Sequence, residues 1–183
     1  MVDWAIEHIP PSSNPSILEV GSGNGTLLFG FFDSGYDPST LHGIDYSAGA
    51  VKLSTEIAKS RGASAITFSE CNFLNNDPQT PQHIRREGQT DVWDLLLDKG
   101  TYDAIALGEK DEEGHSPAVG YPSRVTRLLK PGGYFLITCE CPLMYTCRHN
   151  QFHISLTSGQ HAISRKTNCN VTLKPRIWTS FTS

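Results

Sequence analysis

The sequence predicts an α/β fold: a doubly wound parallel sheet with helices on both faces. Three observations carry that expectation. Short apolar runs bounded by turn residues alternate with segments of helical length, the signature of βαβ units. A glycine-rich turn, Gly21-Ser22-Gly23-Asn24-Gly25, joins the first such run to the first long apolar segment. Leu95-Leu96-Leu97 is apolar without alternation, as a strand buried on both faces requires.

The elements follow in order. Residues 2–9 can form one or two turns of helix with Trp4, Ile6 and Ile9 as apolar contacts, and the prolines at 10, 11 and 15 end it. Strand one is expected over 16–20, a buried helix over 26–32 and a turn over 34–38. Strand two spans 41–45. Ser47 caps a helix over 48–61, which Gly62 terminates. Strand three covers 65–69, and the polar stretch 75–91, with two prolines, reads as a surface loop. Strand four covers 92–98. Residues 109–114 are charged and expected at the surface. A helix spans 121–129, Lys130-Pro131-Gly132-Gly133 stops it, and strand five covers 134–138. Beyond Thr138 the chain is polar. Two weak strands are suggested there, by the alternation of Phe152, Ile154 and Leu156 and by that of Val171 and Leu173, but no helix of useful length.

The chain has 183 residues, 38% hydrophobic and 19% charged, which suits one globular core. The net charge of −4 argues against broad electrostatic binding to nucleic acid or an anionic membrane and permits a basic protein partner. The five cysteines, an odd number, point to reduced thiols. The first residues lack the basic and apolar regions of a signal peptide, and no apolar run reaches the roughly 20 residues a membrane span needs. A soluble, cytoplasmic monomer is the expectation.

The glycine turn has the spacing G-x-G-x-G, with Thr26 where a dinucleotide fingerprint wants its third glycine. Glu19 precedes the first glycine by two residues, and an acidic strand end suits a cationic ligand better than a pyrophosphate. In an open α/β sheet such a turn lies at the carboxyl end of a strand, where nucleotide-like ligands bind. This segment, residues 17–26, resembles motif I of the S-adenosylmethionine-dependent methyltransferases. Glu19, Gly21, Ser22, Gly23, Asn24 and Gly25 are therefore candidate cofactor contacts. Asp45, at the end of strand two and 20 residues after Gly25, is placed to accept hydrogen bonds from two ribose hydroxyls, with a solvated turn as the plain alternative. Tyr46 can lie along the adenine. Asn72 can accept from the adenine amino group through its amide carbonyl, and Phe73 is either core or an adenine wall. Asp98, at the exit of strand four, is the candidate catalytic residue and a further cofactor contact.

Leu97-Asp98-Lys99-Gly100-Thr101-Tyr102-Asp103-Ala104-Ile105 resembles a signature of the eukaryotic lysine methyltransferases that act on translation elongation factor 1-alpha. The resemblance extends over residues 18–24, 43–47 and 127–138, and covers about residues 2–138. It implies a Rossmann-like class I methyltransferase sheet, S-adenosyl-L-methionine as cofactor, and elongation factor 1-alpha as protein substrate. It also implies methyl transfer to a lysine ε-amine, with Asp98 steering the amine and the amino-acid end of the cofactor. Alternatives are another protein or a small molecule as substrate, or a non-catalytic form that binds the cofactor or the partner.

The chain departs from the family at both ends. The aromatic N-terminal segment that closes over the cofactor in family members is not among the 16 residues before Ile17. After Thr138 the family's substrate-loop motif is replaced by Cys139-Glu140-Cys141-Pro142 and an unrelated tail. The expectation is a methyltransferase domain over 1–138, a sheet incomplete at its C-terminal strands, and a poorly ordered tail over 139–183. Cys139, Cys141, Cys147, His149, His153 and His161 do not have the spacing of a structural zinc site, so no metal is expected.

Overall fold

A computed structural model describes residues 1–81 and 91–138 in full, and the backbone of two further strands at 151–157 and 160–164. Helix α1 (Val2–His8) leads into β1 (Ile17–Val20), α2 (Thr26–Asp33), β2 (Leu41–Asp45), α3 (Ala48–Ser60) and β3 (Thr67–Glu70). After these come β4 (Trp93–Lys99), α4 (Thr101–Ala106), α5 (Tyr121–Leu128), β5 (Leu129–Thr138), β6 (Gln151–Thr157) and β7 (Gln160–Ser164). The sheet order is β3-β2-β1-β4-β5-β6-β7. The first five strands are parallel, with Glu19 opposite Gly43 of β2 on one side and opposite Leu97 of β4 on the other. Strand order reverses between β1 and β4, which opens a crevice at their carboxyl ends.

Both faces of the sheet are buried, and successive residues serve opposite faces. Leu95 and Leu97 join Ile17 in a core with Leu28, Phe29 and Phe31 of α2, Ala58 of α3 and Trp4 of α1. Leu18, Val20 and Leu96 face the other way, against Tyr121, Val125 and Leu128 of α5. Ile17, Leu95, Leu96 and Leu97 have no exposed surface, and each such side chain contributes about 1.5–3 kcal/mol through burial. Trp4 packs edge-on against Tyr134, 5.2 Å between ring centroids, and so ties α1 to β5. The expected cap of α3 is present: Ser47 Oγ accepts from the Ala50 N–H at 3.3 Å.

Four features differ from the sequence reading. Residues 101–106 form a helix, α4, where no helix was expected. Lys130-Pro131-Gly132-Gly133 does more than stop a helix: it belongs to β5 and produces a register shift opposite Trp93 and Leu95. Gly133 passes so close to β4 that a Cβ there would lie 3.1 Å from the Trp93 carbonyl oxygen. Strand three begins at Thr67, two residues late, because the backbone at Ala63 and Ile66 closes turns instead. At the C-terminal end, β7 is a strand where none was suggested; it pairs antiparallel with β6, which pairs antiparallel with β5.

The parallel part of the sheet thus ends at β5 among the described residues, in keeping with a sheet incomplete at its C-terminal strands. The alternation at Phe152, Ile154 and Leu156 falls within β6. The suggested strand at Val171 and Leu173 and the cysteines at 139, 141, 147 and 169 lie outside the described residues, as do the side chains of His149, His153 and His161. Among the described residues, no helix is long and apolar enough to cross a membrane.

Candidate functional site

The crevice is built on the glycine loop between β1 and α2. Gly21, Gly23 and Gly25 all have positive φ, at 71°, 53° and 79°, a region that side-chain-bearing residues enter only at a cost. Their surroundings differ. A Cβ on Gly21 would lie 1.8 Å from Thr101 Oγ1, and one on Gly25 would lie 2.8 Å from Phe68 Cζ. One on Gly23 would meet nothing within 4 Å. The loop is therefore packed against protein at its two ends and open in the middle, where a ligand would approach the backbone.

Hydrogen bonds hold this shape. The N–H groups of Gly21 and Ser22 both donate to the Ile44 carbonyl, at 2.8 and 2.9 Å. Asp45, at the tip of β2, latches the loop from the side. Its Oδ2 accepts from the Gly23 N–H and its Oδ1 from the Ser47 N–H, each at 2.9 Å. A carboxylate oxygen has capacity beyond one bond, so Asp45 can still accept from a ligand hydroxyl. Asn24 is exposed and serves the start of α2, its Oδ1 accepting from the Thr26 hydroxyl at 2.7 Å. Ser22 Oγ is buried and has no hydrogen-bond partner.

Glu19 lies beneath the loop and is 3% exposed. Burial pushes its carboxyl up to about 8, opposed by the Lys99 ammonium and by a backbone hydrogen bond at Leu28, and reinforced by Asp98 and Asp45. Its Oε2 has no partner. Glu19, Asp45 and Asp98 thus stand near the carboxyl ends of three adjacent strands, close enough for the charges of Asp98 and Asp45 to help hold the proton on Glu19.

The expectation has Asp98 at the exit of strand four as catalytic residue and cofactor contact, and the structure turns its carboxyl inward there, with no exposed surface. Asp98 caps α4 by accepting from the Thr101 N–H at 2.8 Å and the Tyr102 N–H at 3.0 Å, and it also accepts from the Tyr121 hydroxyl. Burial pushes this carboxyl above its ordinary range, against the pull of those three donors. A carboxyl so enclosed holds the first turn of α4 and the Tyr121 hydroxyl in place.

Tyr46 is 81% exposed beside Asp45. Asn72 is exposed beyond β3, and its Oδ1 already accepts from the Leu74 N–H at 3.1 Å. Phe73 is buried in the α5-side core, edge-on to Tyr121 at 5.0 Å, with the Arg124 guanidinium over its ring at 5.4 Å. Of the two readings of Phe73, the structure places it in the core.

Two residues that support the site carried no individual role in the sequence reading. Thr101 donates to the Val20 carbonyl at 3.0 Å and packs on Gly21, and Tyr121 holds Asp98. Thr101 stands three residues after a strand-exit aspartate, the spacing of a capped turn, which is the signal that could have found it. Tyr121 is 23 residues from Asp98 and has no local signal. A separate cavity of about 300 Å³ lies at the opposite, amino end of the sheet. It is lined by His8, Ser13, Asp94, Lys130 and Tyr134 among others, and none of the loop residues reaches it.

The comparisons agree with this architecture. A family described as a methyltransferase domain matches residues 11–178. Protein-lysine N-methyltransferase EFM4 of Saccharomyces cerevisiae is 34% identical over 143 residues, covering 75% of this chain and 58% of the relative. EEF1A lysine methyltransferase 2 of Danio rerio is 35% identical over 127 residues, covering 69% of this chain and 48% of the relative. The solved structure of a Methanococcus maripaludis protein superposes with a TM-score of 0.53 at 16% identity, covering 74% of this chain and 52% of that one, and so shares the fold. The chain spans about half the length of the curated relatives it matches. With a sheet, a crevice and a glycine loop of this kind, and a family match across most of its length, the chain belongs to the methyltransferase-domain family.

Proposed function

We propose that this chain is the core of an S-adenosylmethionine-dependent protein-lysine N-methyltransferase whose substrate is translation elongation factor 1-alpha. The observation that carries the reading is the glycine loop, open at Gly23 and latched by a buried carboxylate at the tip of β2. The residues present fit the cofactor. The open middle of the loop admits a ligand against the backbone. Asp45 retains acceptor capacity for the two ribose hydroxyls. The unpartnered Ser22 Oγ and the carboxyl of Glu19 provide polar surroundings on the acidic side of the crevice. Gly21, Ser22, Gly23, Asn24 and Gly25 would form the cradle, with Tyr46 and Asn72 at the exposed adenine side. Phe73 would support that side from below, and Asp98 would act through α4.

When bound, S-adenosylmethionine supplies an electrophilic methyl group on a cationic sulfur. The incoming lysine amine must be neutral to attack it. With a reference pKa of about 10.4, only about one amine in a few thousand is neutral near pH 7, equivalent to roughly 4.6 kcal/mol. The work of this chain is to align that amine with the methyl group and to exclude competing water. Asp98 contributes indirectly, by fixing the first turn of α4 beside the loop.

The name of the Danio rerio relative, EEF1A lysine methyltransferase 2, supports elongation factor 1-alpha as substrate, and that of the Saccharomyces cerevisiae relative supports a protein lysine as methyl acceptor. A soluble, cytoplasmic monomer that does not bind nucleic acid or membrane suits that substrate and the net charge of −4. The test is calorimetry of the purified chain with S-adenosylmethionine, with NAD as control, followed by radiolabelled methyl transfer to elongation factor 1-alpha. Micromolar binding without NAD binding, and label on a lysine, is the expected result. A folded chain that binds no S-adenosylmethionine refutes the reading. Binding without transfer leaves a non-catalytic form or a different substrate.

A further inference from the structure

Asp98 has no contact with solvent, yet it joins three elements of the site. It receives the Tyr121 hydroxyl from α5 and the Thr101 and Tyr102 N–H groups from α4. Thr101, so held, returns its own hydroxyl to the Val20 carbonyl at 3.0 Å, immediately before the glycine loop. Its side chain fills the space a Cβ on Gly21 would take. The first turn of α4 is therefore a wall of the glycine loop, and one hydroxyl more than 20 residues along the chain secures that wall from behind.

We propose that Tyr121 is a positioning residue for the cofactor loop, acting through Asp98 and Thr101 on Val20 and Gly21. Without the Tyr121 hydroxyl, the Asp98 carboxylate keeps only its backbone donors and is free to rotate about them. The first turn of α4 then loses its fixed distance from β1. Tyr121 is well placed for this role and poorly placed for any direct one. It is 1% exposed, and its ring is wedged edge-on between Phe73 and Tyr102, at 5.0 and 5.3 Å. The aromatic contacts anchor the ring, so removing the hydroxyl alone separates positioning from packing.

The inference rests on the glycine loop being the cofactor site, and the test separates the two. In the full chain, amide hydrogen exchange at Gly21 and Ser22, whose N–H groups donate to Ile44, is measured without cofactor in Tyr121→Phe, Thr101→Val, Thr101→Ser and the Tyr121→Phe/Thr101→Val double variant. Exchange is expected to rise about 3–10-fold in Tyr121→Phe and in Thr101→Val, with the double variant no faster than the faster single, because both act on one chain of contacts. Thr101→Ser, which keeps the hydroxyl, should exchange like the parent. The dissociation constant for S-adenosylmethionine should rise in parallel.

If changes in Tyr121→Phe are confined to α4 and α5 while Gly21 and Ser22 exchange as in the parent, the proposal is overturned. It is also overturned if the effects of the two single variants multiply. Should Tyr121→Phe fail to fold, Thr101→Val against Thr101→Ser still decides: equal exchange at Gly21 in the two removes the last link. A parent chain that shows the exchange pattern and yet binds no S-adenosylmethionine refutes the cofactor reading and leaves the contact chain standing.

Discussion

Gly21→Ala and Gly23→Ala make a matched pair. Both place a methyl group on a residue with positive φ, at 71° and 53°. The left-handed backbone costs about 1–2 kcal/mol in each, partly offset by about 0.4–1 kcal/mol from the stiffer unfolded chain. These contributions cancel in the comparison. What remains is the surroundings. At Gly23 the new Cβ meets nothing within 4 Å, whereas at Gly21 it falls 1.8 Å from Thr101 Oγ1 and 2.9 Å from Thr101 Cβ and Cγ2.

Thr101 must then move, giving up its bond to the Val20 carbonyl, worth about 1 kcal/mol, and straining α4 by about 1–3 kcal/mol. Gly21→Ala should therefore be less stable than Gly23→Ala by about 2–4 kcal/mol, or roughly 4–16 °C in Tm for a chain of this size. Urea and thermal unfolding followed by circular dichroism measure both. Adding Thr101→Ala to Gly21→Ala removes the closest atom and should recover part of the loss. Equal stability of the two glycine variants would refute the packing argument. Gly23→Ala, below the parent by no more than about 1.6 kcal/mol, should instead lose cofactor affinity, because its methyl group enters the open part of the loop.

Further expectations follow from neighbouring residues. Glu19 has a folded-state value of about 8 against an ordinary 4.5, so between those values the folded chain holds a proton that the unfolded chain has released. Its contribution is fully present below pH 4.5 and falls as pH rises toward 8, by about 1.4 kcal/mol per pH unit at most. Glu19→Gln should flatten unfolding free energy against pH over that window, and an unchanged slope would count against a buried neutral carboxyl. Asp45→Ala frees the Gly23 and Ser47 N–H groups together and should lower both Tm and S-adenosylmethionine affinity, the latter at least about tenfold if the ribose contacts are lost too. Ser16 Oγ donates to the Val92 carbonyl at 2.7 Å, and lies 2.7 Å from Asp94 Oδ2. Ser16→Ala should cost about 1–3 kcal/mol in urea unfolding with cofactor affinity intact, since it lies at the other end of the sheet.

What was legible in the sequence was what local pattern dictates. β2 has the expected bounds, and α3 starts at its expected cap, because turn residues and a serine cap mark them. The loop was readable because glycine spacing encodes backbone shape directly. Asp98 was placed at the right strand exit, but its direction was not legible, since what turns it inward is the first turn of a six-residue helix and a tyrosine hydroxyl 23 residues away. Helix α4 was hidden for a related reason. It is too short for an apolar period to register, it follows Gly100 at a φ of 83°, and its cap comes from the strand before it. The antiparallel pairing of β6 with β5 was not legible because an alternating pattern marks a strand without assigning it a partner or a direction, even when the partner is the strand just before it.

The Asp45 latch has a thermodynamic consequence. Both of its oxygens already hold backbone N–H groups, so the loop is shaped before any ligand arrives. A ligand settling there would order little chain, and its binding entropy would carry a small conformational penalty. Association should proceed in one kinetic phase, and differences in affinity among variants that leave the latch intact should appear as changes in residence time.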